Sequence, residues 1–134
     1  MKRRLGFVRF VWVIATFVPV FAAAPFAQQV SQSGLFHVSY QSKLDPIVIN
    51  RIHSWVLHVE TVDGHPVADA DIVVEGGMPA HDHGLPTRPR MTQSLGDGDY
   101  LIEGMRFHMN GYWEIAITIS TDGDRDTVVI PLEL

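Results

Sequence analysis

"YWEIAITIST", residues 112–121, decides how this chain folds. Trp113, Ile115, Ile117 and Ile119 occupy every second position, with Glu114 and Thr118 between them. Successive side chains of a strand point to opposite faces, so the stretch predicts a strand with one buried and one wet face. A helix would scatter the same four apolar residues around its axis.

The period of two continues outward in both directions. It predicts strands near 35–42, 52–62, 70–75, 90–95, 99–107 and 127–134, and no helix-length segment free of Gly and Pro shows a 3.6 period. Trp55, Leu57 and Val59 share one phase, and Val128, Ile130, Leu132 and Leu134 another. Together with the 113–119 set they are the expected core. In "DYLIEGMRF", residues 99–107, Tyr100 and Ile102 fall out of phase with Met105 and Phe107 across Gly104, as a glycine bulge would produce. Asp-Gly pairs in "VDGHPV", "LGDGDY" and "TDGDRD" supply turns. Tyr100 is either a corner residue whose hydroxyl bonds back to the chain or simply a core aromatic. Seven short strands in one small domain imply an all-β, immunoglobulin-like antiparallel sandwich.

The first 27 residues read differently. Lys2, Arg3, Arg4 and Arg9 precede an apolar run and then small residues, the layout of a secretory signal peptide. Cleavage after Ala24 or after Ala27 fits incompletely, and the alternative is an uncleaved single-pass anchor over 10–26, close to the roughly 17 residues that can span a bilayer. Either way residues 28–134 form one exported domain, periplasmic or otherwise extracytoplasmic, whose membrane contact runs only through the leader. The leader takes four of the ten basic residues and none of the fifteen acidic ones, leaving −9 on the rest. Such a charge disfavours nucleic acid and anionic membranes as partners. No cysteine is present, so disulfides do not hold the domain and a soft metal ligand must be methionine.

Two stretches carry candidate chemistry. "GGMPAHDHGLPTRPRM", residues 76–91, is long for a connection and stiffened by Pro79, Pro86 and Pro89. In extended backbone His81 and His83 would project to one side, about 6–7 Å apart, with Asp82 turned away. "GMRFHMNGYW" adds Met105, His108 and Met109 at a strand end and in the Asn110-Gly111 turn. Met78 is a further thioether beside the histidines. Imidazole with thioether and no thiolate suits copper, Cu(I) in particular, whereas zinc would more often add a carboxylate such as Asp82. The blander readings are a chance His-x-His pair and methionines that fill core gaps.

Of the other histidines, His37 and His58 fall on the solvated phase, and His53 and His65 read as surface positions. Arg88 and Arg90 would pair with Asp82, Asp97 or Asp99, or contact an anionic partner. The chain has no phosphate loop, HExxH, nucleophilic cysteine or GxSxG, so an enzyme is not expected.

"MPAHDHGLPTRPRMT" followed by "GDGDYLIEGMRFHMNGYWEIAITI" resembles the small exported YtkA-like and FixH-like domains, over about residues 76–119. Tyr100, Gly104, Phe107, Met109, Gly111 and Trp113 are the matching positions. The resemblance implies an immunoglobulin-like sandwich and association with copper handling or with assembly of copper-containing oxidases. Carried onto this sequence, the metal ligands would be His81, His83, Met105, His108 and Met109. FixH-like members carry a membrane anchor, and where relatives have Met-rich loops this chain has His-Asp-His. The expected function is thus an exported copper carrier or assembly factor that meets a metal acceptor or another envelope protein. The alternatives are a metal-free interaction module that uses loop 76–91 as its recognition surface, and a zinc- or small-ligand-binding domain.

Overall fold

The computed structural model describes residues 27–134; apart from Ala27, the expected leader lies outside the described residues. The strands are β1 (Gln29–Val30), β2 (Phe36–Ser42), β3 (His53–Thr61), β4 (Asp71–Met78), β5 (His83–Gly84), β6 (Arg90–Gly96), β7 (Asp99–Met105), β8 (Tyr112–Ser120) and β9 (Arg125–Glu133). They form two antiparallel sheets, ordered β1-β2-β3-β7-β6 and β5-β4-β8-β9. The chain crosses between sheets after β3, β5 and β7, the Greek-key connectivity of an immunoglobulin-like sandwich.

Nine strands form among the described residues, where the sequence suggests about seven. β1 and β5 have two residues each, too few to leave a period-two signature. β4 also runs on to Met78, beyond the expected end at 75 and into the stretch expected to be a long loop. A Cβ at Gly76 would lie 2.7 Å from Ile115 Cδ1 and 2.9 Å from Leu85 Cδ1, so the missing side chain lets Leu85 fold onto the strand.

The alternation places the core as expected. Trp55, Leu57, Val59, Trp113, Ile115, Ile117, Ile119 and Val128 are fully buried between the sheets. Leu132 and Leu134 are only partly buried, because they border an open cleft with Tyr40 and Ile47 at the sandwich end. Gly104 has φ +86° and the β3–β7 register slips between His53 and Trp55, which is the bulge. The strand ends at Met105, two residues early. Past the bulge Met105 and Phe107 are re-aimed inward and are wholly buried.

Tyr100 is a corner residue. Its hydroxyl donates to Val67 O at 2.6 Å and accepts from Ala70 N at 3.1 Å, tying the β3–β4 crossover to β7. At the N-terminal end the buried Asp126 carboxylate accepts from the backbone N–H of Ser33 (2.9 Å), Leu35 (3.4 Å) and Thr127 (2.8 Å). Burial alone would raise its pKa. The hydrogen bonds from Ser31, Thr127, Ser33 and Leu35 outweigh that and hold it below the usual aspartate value.

Candidate functional site

The β4–β5 connection is a tight hairpin. His81 N donates to Met78 O at 3.0 Å, and Asp82 takes the left-handed conformation at φ 52°, which short polar side chains tolerate. His83 then returns to pair with Met78. The imidazoles of His81 and His83 stand 6.3 Å apart between centroids and are nearly parallel, at 16°. That separation matches the expectation for an extended backbone, but a turn produces it.

His108 joins them from the other sequence cluster. Its ring lies 6.1 Å from that of His83 and packs edge-on at 5.5 Å against Trp113. Trp113 Nε1 donates to Met109 O at 3.1 Å and so fixes the turn that presents His108. Backbone bonds between Gly111 and Leu134, at 2.9 and 3.1 Å, tie the same turn to the chain end. The two clusters therefore meet, in a row His81–His83–His108 across one end of the sandwich. Met109 is half-buried against the core beside this row, whereas Met105 lies wholly within the core, in register opposite His53.

Among the described residues no three His, Asp or Glu side chains are already gathered as a metal-binding group. The spacing of the rings can nonetheless be set beside that of imidazoles sharing one ion. Two imidazoles on one metal, with M–N near 2.0–2.1 Å, put their centroids roughly 5 to 6.5 Å apart. Both neighbouring pairs, at 6.3 and 6.1 Å, lie at the wide end of that range. His108 Nδ1 is buried without a hydrogen-bond partner, a lone pair or proton left uncompensated. His81 and His83 are exposed. An open groove of about 370 Å³ borders His83, lined by Glu75, Gly76, Gly77, Asp82, Glu114 and Ala116 among others.

Four further expectations meet the structure here. His53 is buried rather than superficial: Trp55 Nε1 donates to its Nε2 at 3.2 Å, and its Nδ1 lies 3.0 Å from Arg51 O. The indole needs an acceptor once both rings are inside, and the shared phase of residues 53 and 55 was the available signal. His58 is not simply solvated. Its Nδ1 lies 2.6 Å from Asp99 Oδ1 and its Nε2 3.1 Å from Glu60 Oε1. Partial burial would lower its pKa, but hydrogen bonds and charge from Asp99 and Glu60 raise it above the ordinary histidine value. Arg88 and Arg90 form no ion pair among the described residues, and Asp99 serves His58 instead. The loop is fastened by Thr87 Oγ1 donating to Gly104 O at 2.6 Å, by Leu85 N donating to Gly76 O at 2.9 Å, and by the buried Pro89. His65 is exposed in its turn, as expected.

No curated protein matches the chain. Among solved structures, a DUF4426 family protein from Pseudomonas aeruginosa is similar at 16% identity, with a TM-score of 0.54 over 80% of this chain and 94% of that one. The likeness is one of fold. The ZirS C-terminal domain, also 16% identical, aligns over 92% of this chain and 88% of its own with a TM-score of 0.42. The YtkA-like family profile matches residues 32–118, a span that takes in strands β2 to β7, most of β8 and all three histidines of the row. With most of its sandwich inside that match, the chain belongs to the YtkA-like family.

Proposed function

We propose that this YtkA-like protein is an exported copper-binding protein of the cell envelope, a carrier or assembly factor rather than an enzyme. The observation that supports the reading is the meeting of His81, His83 and His108 at one end of the sandwich, from stretches 25 or more residues apart in sequence. Bound there, copper would be held by imidazoles on an exposed hairpin and a fixed turn. The hairpin can offer its ligands one at a time to an acceptor, which suits transfer better than storage. Within this proposal the FixH-like side of the resemblance makes copper-oxidase assembly the natural destination.

The test is a titration of the purified protein with Cu(I), Cu(II) and Zn(II) against a competing chelator. A ligand that binds only the folded state at about 100 times its Kd adds about 2.7 kcal/mol of stability. One equivalent of copper should therefore raise the melting temperature, and the His81→Ala/His83→Ala variant should lose that rise. Equal copper affinity in wild type and double variant would refute the reading.

The second reading is metal-free partner recognition by loop 76–91. Arg88, exposed and without an ion pair among the described residues, and the groove beside His83 favour it. It predicts a melting temperature indifferent to copper.

A further inference from the structure

We infer that Met78, and neither Met105 nor Met109, supplies the thioether of the histidine site and makes it selective for Cu(I) over Zn(II). The inference rests on the copper reading above. Met78 is the last residue of β4 and only 2% exposed. It is paired in register with His83, so the two side chains leave the same face with Cβ atoms about 4.5–5.5 Å apart.

On its other side Met78 meets the turn that carries His108. A Cβ at Gly111 would stand 3.1 Å from Met78 Cε, and Gly111 has φ +120°, where an L side chain rarely sits. The methionine methyl occupies the room that the missing side chain leaves. The Met78 methyl thus lies over Gly111 in the turn that carries His108, while Met78 itself is paired in register with His83 of the first turn. Met105 faces His53 inside the other half of the core, and the Met109 carbonyl is held by the Trp113 indole while its side chain packs on the core flank.

The chemistry separates the metals. Imidazoles accept Cu(I), Cu(II) and Zn(II), whereas thioether sulfur adds affinity chiefly for Cu(I). Placing the sulfur behind exposed imidazoles gives a site that captures through His81 and His83 and discriminates at the buried end.

The experiment compares purified wild type with Met78→Leu, Met105→Leu and Met109→Leu, by chelator competition for Cu(I) and Zn(II) and by X-ray absorption at the copper edge. Met78→Leu should lower Cu(I) affinity by about tenfold or more and abolish the copper–sulfur signal, with Zn(II) affinity unchanged. The other two variants should keep both. Retention of the sulfur signal in Met78→Leu, or its loss in Met105→Leu or Met109→Leu, overturns the inference while leaving the copper reading intact. Absence of Cu(I) binding in wild type overturns both. Should Met78→Leu fail to fold, selenomethionine-labelled Met91→Leu/Met105→Leu/Met109→Leu protein, in which Met78 is the one methionine left after Met1, decides the matter: a copper–selenium path supports Met78 and its absence refutes it.

Discussion

Replacing Tyr100 with Phe removes one oxygen atom from the interior and leaves the ring in place. That oxygen bridges Val67 O at 2.6 Å and Ala70 N at 3.1 Å, and both residues are buried, 6% and 4% exposed. The substitution therefore strands a carbonyl and an N–H at the crossover from one sheet to the other. Unmade hydrogen bonds in a buried site cost about 1–3 kcal/mol each, and relaxation of the crossover recovers part, so the expected loss is about 2–3 kcal/mol. At about 4 °C per kcal/mol for a domain of this length, the melting temperature should fall by about 8–12 °C. Urea unfolding should show a lower midpoint with an unchanged slope, since the surface exposed on unfolding is the same. A loss under about 0.5 kcal/mol would refute the reasoning, because it would mean that the crossover holds its place without the hydroxyl.

Gly98→Ala should be among the most damaging single-methyl changes, because its Cβ would lie 2.5 Å from Val59 O and φ is +80°. A loss of at least about 2 kcal/mol in chemical unfolding is expected, and a neutral result would contradict the turn geometry. Asp126 has a folded pKa below its unfolded value, so its contribution is complete above about pH 4 and fades as pH falls through the lower folded value. Asp126→Asn should flatten the acid limb of a stability–pH profile, and an unaltered limb would exclude this carboxylate as its source. His58 has the opposite sign: its folded pKa is raised, so its contribution is complete below about pH 6.5 and fades as pH rises through the folded value. The group is about a third exposed, so His58→Gln should remove only about 0.5 kcal/mol at pH 6 and less at pH 9; equal losses at the two pH values would sink the ion-pair account.

Much of the sandwich was legible before any coordinates. Alternation is a property of the extended backbone itself, so Trp113 to Ile119 and Trp55 to Val59 declared their buried faces from position alone. Gly104 declared the bulge in the same way, since an added residue shifts the phase on either side of it. The two-residue strands and the continuation of β4 through Gly76-Gly77 were not legible, and the burial of His53 showed only as a phase shared with Trp55. Each depends on what a neighbouring element covers. The hairpin over 79–82 shows the limit of local reasoning, because a turn and an extended strand both set His81 and His83 about 6 Å apart.

The sequence by itself determined the fold class, the core and the presence of two His/Met clusters. Only the tertiary structure decided that His108 stands beside His83, that Met105 belongs to the core, that Met78 lies between the hairpin of His81 and His83 and the turn of His108, and that His58 is clamped by Asp99 and Glu60. The physical reason is range. A strand's faces follow from steric rules that act within a few residues, whereas these meetings are fixed by which strands pair, in what register and at which end of the sandwich. That choice is made by the packing of the whole core and leaves no mark in any short stretch of chain.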